Sequence, residues 1–179
     1  MPFMTWNDDC ETDTIVAMKR LCTDLTFMQK FYPAKQDKRL PIDAAIDFYE
    51  TNFSIAIKKR HIAYLVYKLN GGMTNDARRY EVAGNKAVKE AMDELEEMFN
   101  VNGKKWLCGD FPSIADYLIG AQCTDLMQHG LRWDAWPKAC AWRHKMFIET
   151  PGFREVHAEW FKEVLPKSIS FPLPMGSAS

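Results

Sequence analysis

An all-α fold is predicted for this chain: a bundle of about six or seven helices packed around one central helix. Three observations predict it. Apolar residues recur at helical spacing over long stretches, as at Ile42, Ile46, Tyr49, Phe53 and Ala56. Proline and glycine punctuate those stretches at "LP", "NGG", "WP" and "PG". The stretch "GDFPSIADYLIGA", Gly109 to Ala121, carries a helix-start signal, Ser113 with Asp116 three residues on, ahead of an almost uncharged run.

The elements follow in order. "TDTIVAMKRLC" is a short amphipathic helix beginning near Thr12 to Thr14. Pro41 suits the first turn of a long helix that continues to Leu69 and is ended by Asn70 to Gly72. The next runs from about Ala77 to Phe99, with Val88, Met92, Leu95 and Phe99 on one face and Lys89, Glu90, Asp93 and Glu96 on the other; "NVNGKKW" then reads as a loop. From Ile114 to about Gln128 runs a helix with Ile114, Leu118 and Ala121 on one stripe and almost no charge before Asp125, which predicts protein on most sides of it. A helix buried at its start cannot leave its first amides to water. The Ser113 hydroxyl is therefore expected to accept from the Asp116 amide, and the Asp116 carboxylate to reach back to the Ser113 amide, as a structural capping box. Trp136-Pro137 opens another helix with Ala139, Trp142 and Met146 inward, and Phe153, Val156, Trp160 and Val164 mark a last one. The tail "SISFPLPMGSAS" reads as irregular, and no repeat, low-complexity tract or strand hairpin is read. The organisation expected is 1–30 as an N-terminal segment with a short helix, 31–165 as the helical domain, and 166–179 as the tail.

Composition narrows the function classes. With 179 residues, 47% hydrophobic and 26% charged, the chain can bury one good core. A formal net charge of -1, from 23 Lys+Arg against 24 Asp+Glu, gives no electrostatic reason to expect nucleic acid or an anionic membrane as partner. The basic cluster "KKRH", Lys58 to His61, reads as a solvated helix face. Five widely spaced cysteines without a CxxC pair favour reduced thiols, and the N-terminus shows no secretory pattern, so a cytoplasmic protein is expected. Cys140 and His144 lie at i, i+4 on one helix face and Cys123 with His129 could add ligands, but two such residues on one face are a common accident and no metal site is expected. No GxSxG elbow or HExxH helix supports a hydrolase. The six tryptophans and ten methionines read as core.

Taken together, "KKWLCGDFPSIADYLIGAQCTDL", "FYPAKQDKRLPIDAAIDFYETNF" and "WPKACAWRHKMFIETPGFREVH" resemble, in order and spacing, segments of the cytosolic glutathione transferases, nearest to the theta-like or insect-like branches. The first resembles the family's Gly-Asp-x-Pro turn and Ser/Thr-x-x-Asp box. The second is similar to its "YP" loop and long helix. The match covers roughly Glu11 to Trp160.

The resemblance implies the all-helical C-terminal domain of that family. "CETDTIVAM" is similar to the turn and helix that close the family's N-terminal thioredoxin-like domain. The residue that activates the glutathione thiol has no counterpart in these residues, so no catalytic residue is assigned. Glu11 and Thr12 match positions that contact the γ-glutamyl end of glutathione; in the plainer reading they cap the helix behind them. Cys10 beside them lies outside the position of the family's cysteine nucleophiles and reads as a plain thiol. A hydrophobic-substrate pocket is implied between the long helix and the capped one, from Asn52, Phe53, Ala56 and Ile57 on the first and Leu118 and Gln122 on the second; the alternative there is a filled core. No cofactor is implied, with glutathione as the co-substrate. The face left by the absent domain would be apolar and covered by a homodimer contact or another protein. Two functions compete: the hydrophobic-substrate and dimer-interface half of a transferase, not catalytic alone, and a helical adaptor of the kind found in translation-factor and synthetase assemblies.

Overall fold

The computed structural model describes residues 4–6, 9–128, 132–150 and 152–163. Two short antiparallel strands, β1 (Met4–Trp6) and β2 (Asp9–Glu11), are followed by α1 (Thr14–Asp24), α2 (Gln36–Phe48), α3 (Ser54–Leu69), α4 (Asn75–Asn102), α5 (Ile114–Gln128), α6 (Pro137–Glu149) and α7 (Phe153–Glu163). The strand pair, in which Met4 faces Glu11 and Trp6 faces Asp9, is a hairpin that the sequence reading lacks. Three-residue strands are too short for alternation to be legible.

The α1 helix is capped by Asp13, whose carboxylate accepts from the amides of Ile15 at 2.8 Å and Val16 at 3.0 Å. That role belongs to Asp13 and not to Thr12, which is exposed. The long helix starts at Gln36, earlier than expected, and Pro41 lies inside its second turn. Both Lys38 and Arg39 amides close on the Lys35 carbonyl ahead of that proline, at 3.2 and 3.1 Å, so the helix is already nucleated when the missing N–H arrives. A wide π turn at Tyr49–Phe53 then separates α2 from α3. Thr51 Oγ1 donates back to the Asp47 carbonyl at 2.6 Å and Ser54 Oγ to that of Glu50 at 3.5 Å, and the Asn52 amide reaches across to Glu94 of α4.

A short turn sends α4 back along α3, capped by Thr74, whose Oγ1 accepts from the Ala77 amide at 3.1 Å. Gly84 allows the close approach of the two helices, since a Cβ there would lie 3.0 Å from Arg60 Cα. The α4 helix continues to Asn102 through the expected loop and stops at Gly103, in the left-handed region at φ 56°.

The core has two parts, and α5 joins them. Ile119, Cys123 and Leu126 pack with Phe53, Ala56 and Ile57 of α3, Met92 and Leu95 of α4, and Trp142 and Met146 of α6. Ile114, Ala115 and Leu118 pack with Cys22 of α1, Phe31 of the linker, and Ile42, Ala45 and Ile46 of α2. The α6 helix is seated on α4: Glu96 accepts from the amides of Lys138 at 3.0 Å and Ala139 at 2.8 Å, and Trp136 Nε1 donates to Asp93 at 2.8 Å.

Candidate functional site: the capped helix and an apolar groove

The start of α5 is organised around one carboxylate. Asp116, 0% exposed, accepts at Oδ2 from the Ser113 amide and the Ser113 hydroxyl, both at 2.8 Å. Its Oδ1 accepts from the Leu107 amide at 3.1 Å and from Trp142 Nε1 at 2.8 Å. The hydroxyl thus donates to the carboxylate, where the sequence suggested that it would accept from the Asp116 amide. That amide turns to the Ser113 carbonyl at 3.0 Å, while Ile114 N donates to the Phe31 carbonyl at 3.0 Å. Burial raises the Asp116 pKa above the ordinary carboxylate value, and the four donors oppose that rise. The cluster ties α5 to the preceding loop and to α6. Asp116 itself is closed to solvent, while Ser113 borders the cleft of about 710 Å³ described below.

Beyond this start, Tyr117, Ala121 and Asp125 recur every fourth residue and so share one face of α5. Against that face lies α7. Gly120 lets it come close, because a Cβ at that position would sit 3.3 Å from the Phe153 ring. A groove of about 300 Å³ opens between the two helices, lined by Tyr117, Ala121, Gly152, Phe153, Val156 and His157. That volume is at the lower end of small-ligand sites, roughly 300–1,000 Å³.

Polar groups at the groove are few. His157 Nδ1 is 2.7 Å from the Phe153 carbonyl, which can only accept, so Nδ1 is the donor in this contact. The imidazole stacks at 4.3 Å on the Phe153 ring. Tyr117 is held above the usual phenol value, first by burial and then by Asp116. Burial likewise raises Asp125, with His61 and His157 pulling it back.

The residues expected to form a pocket lie elsewhere. Phe53, Ala56 and Ile57 are buried in the first core and Leu118 in the second, Asn52 is bound to Glu94, and Gln122 is half-buried. None of the six lines the groove or either of two other clefts, of about 710 Å³ and 80 Å³. The larger of these, bounded by Lys30, Lys35, Lys38 and Lys104, is a mixed-charge surface in which Lys35 already pairs with Asp37 at 3.0 Å. Glu11 ends β2 and Thr12 follows it, exposed, ahead of the Asp13 cap. Val156, one of the residues that mark the last helix in the sequence, is 77% exposed at the groove, and Ala121 lines it rather than joining the buried stripe. The Tyr117–Ala121 spacing was the available signal, but it reads equally well as core until the position of α7 is known.

Cys22 is pushed up to about 11 and Cys108 to about 12 by burial, and burial raises Cys123 as well. Among the described residues no group of three or more potential ligands could hold a metal ion, and His129 lies outside them. No helix among them is long and apolar enough to cross a membrane.

A helical bundle around a buried, carboxylate-capped helix, with an apolar groove on the outer side of that helix, defines the class. Residues 33–149 match the model of the glutathione S-transferase C-terminal domain, and the chain belongs to that family. Among solved structures it is similar to a diazinon-metabolizing glutathione S-transferase of the silkworm Bombyx mori, at TM-score 0.73 and 14% identity over 92% of this chain and 73% of that one. A delta-class enzyme of Nilaparvata lugens gives 0.73 and 16%, covering 94% and 75%. An epsilon-class enzyme of the housefly Musca domestica gives 0.74 and 18%, covering 94% and 73%. At these identities the likeness shows the fold. No curated protein sequence matches.

Proposed function

We propose that this chain supplies the hydrophobic-ligand half of a glutathione transferase-like architecture and does not by itself activate the glutathione thiol. The observation that carries the reading is the apolar groove between α5 and α7. This reading favours the flank of α5 that faces α7 as the ligand site, with Asn52, Phe53, Ala56, Ile57, Leu118 and Gln122 kept as the site that the resemblance implies. An apolar molecule entering the groove gains from removing Phe153, Val156 and Ala121 from water, and His157 Nε2 offers one hydrogen bond to orient it. Glutathione carries two carboxylates and an ammonium, which call for fixed charged partners. Among the described residues no Lys, Arg, Asp or Glu lines the groove. Thiol activation needs a positioned donor or cation beside sulfur, and of the residues assigned to glutathione by resemblance only Glu11 and Thr12 are present.

A self-associating or partner-covered surface is part of the same reading. Ile55, Ile62, Leu65 and Leu69 are exposed at near-heptad spacing along α3, a row suited to a homodimer contact or a protein partner.

The test is titration with an apolar fluorescent dye against the full chain and Ala121→Trp, a substitution that fills the groove from its open side. Binding that falls at least tenfold in the variant, with unchanged far-ultraviolet circular dichroism, supports the site. Equal binding by both removes it.

A further inference from the structure

We propose that the cleft between the start of α2 and the loop ahead of α5 docks an acidic peptide segment of a partner protein, one that carries carboxylates on both sides of an aromatic side chain. The cleft shares no lining residue with the groove between α5 and α7, so the proposal stands apart from the ligand reading of that groove.

The sequence places the charges. Lys35 and Lys38 are three residues apart, and Pro41 follows three residues later, so lysines and an apolar residue share one face at the start of α2. Lys30 precedes them in the linker, and Lys104 enters from the loop. Lys35 pairs with Asp37 at 3.0 Å. Lys30 stands over the Phe31 ring at 4.9 Å, and Lys104 Nζ donates to the Cys108 carbonyl at 3.4 Å. Among the described residues, neither of these nor Lys38 pairs with a carboxylate. Asp110 is then the remaining carboxylate lining the cleft, set against three ammoniums.

The walls are fixed before any partner arrives. Cys108 Sγ donates to the Pro41 carbonyl at 3.4 Å and joins the loop to α2, while the loop closes on itself from the Trp106 amide to the Gly109 carbonyl at 3.1 Å. Asp116 holds the Leu107 amide of the same loop at 3.1 Å. A cleft of about 710 Å³ held open in this way spares a peptide the cost of ordering its receptor. Phe111, 74% exposed, offers an apolar contact at the rim.

The chemistry favours a peptide over a small anion. Exposed lysines hold single carboxylates weakly, because both partners stay hydrated. A peptide that spans Lys30, Lys38 and Lys104 sums their attractions and covers Phe111, Pro33 and Pro41 in the same event. A lysine ammonium is a point charge on a flexible stem and follows a carboxylate whose position varies. Nucleic acid fits less well, since its phosphates recur at every nucleotide and would meet Asp37 and Asp110, whereas a peptide offers Asp110 a backbone N–H.

The experiment follows the fluorescence anisotropy of the peptide Glu-Asp-Phe-Asp-Glu, labelled with an uncharged fluorophore, as it is titrated with the full chain and with Lys38→Glu/Lys104→Glu. Both lysines are exposed, and circular dichroism checks the fold of the variant; Lys38→Gln/Lys104→Gln takes its place if the reversal does not fold. Saturable binding to the full chain is expected, weakened about tenfold or more by the charge reversal. Phe111→Ser should weaken it about threefold, a loss that charge attraction alone would not produce. No binding to the full chain, equal binding by the charge variant, or an unchanged affinity in Phe111→Ser overturns the proposal. So does equal binding of the neutral peptide Gln-Asn-Phe-Asn-Gln. A single-stranded oligonucleotide of equal charge that displaces the peptide at lower concentration also overturns it and assigns the cleft to nucleic acid.

Discussion

Replacing Asp116 by alanine strands three buried donors that have no other partner within the cap: the amides of Ser113 and Leu107 and the indole N–H of Trp142. The Ser113 hydroxyl can turn elsewhere, so it is left out of the estimate. Each stranded donor costs about 1–3 kcal/mol, or roughly 3–9 kcal/mol together before relaxation. Removing a buried charge returns part of this, because the carboxylate had given up its own hydration. The net loss expected for Asp116→Ala is about 3–5 kcal/mol, against a total of roughly 5–15 kcal/mol for an ordinary domain. Asp116→Asn keeps an acceptor for Leu107 and Trp142 and loses less. Equilibrium urea unfolding followed by tryptophan fluorescence measures both. An alanine variant that loses less than about 1 kcal/mol, with an unchanged denaturant slope, would refute the reasoning that this carboxylate organises the start of α5.

The pH dependence of the same site has a definite sign. Because burial raises the folded pKa, Asp116 contributes most fully below the unfolded value, and its contribution declines as pH rises through the folded one. Urea unfolding at a series of pH values should show that decline in the wild type and its absence in Asp116→Asn. Ser113→Ala should destabilise less than Asp116→Ala and be non-additive with it; full additivity in the double mutant would argue against a shared cap. Gly84→Ala places a methyl group 3.0 Å from Arg60 Cα and should lower stability by about 1–2 kcal/mol, where an open helix position would gain from alanine. Cys22 and Cys108, held near 11 and 12, should react slowly with a neutral-pH alkylating reagent until the protein is unfolded, as read by mass spectrometry.

Much of the fold was legible because its signals are local. The bounds of α5 follow from the Ser113–Asp116 pair and from an uncharged run, and α6 opens at Pro137. Pro41 misled because proline more often begins a helix than sits in its second turn. The π turn at Tyr49–Phe53 was hidden because the regular spacing of Ile42, Ile46, Tyr49, Phe53 and Ala56 fits an unbroken helix, whereas the interruption comes from Thr51, Ser54 and a long-range tie between Asn52 and Glu94. The groove was the least legible feature. Which side of α5 stays open is set by where α1, α3 and α7 pack, and Tyr117, Ala121 and Val156 have no local property that separates a groove wall from a core.

The function proposed above is an apolar ligand site that does not by itself form a glutathione thiolate. The measurement that tests it most directly is the rate at which the purified 179-residue chain conjugates glutathione to a reactive aryl halide. The expected rate is indistinguishable from that of the uncatalysed reaction. Turnover well above that rate, proportional to protein concentration, would contradict it.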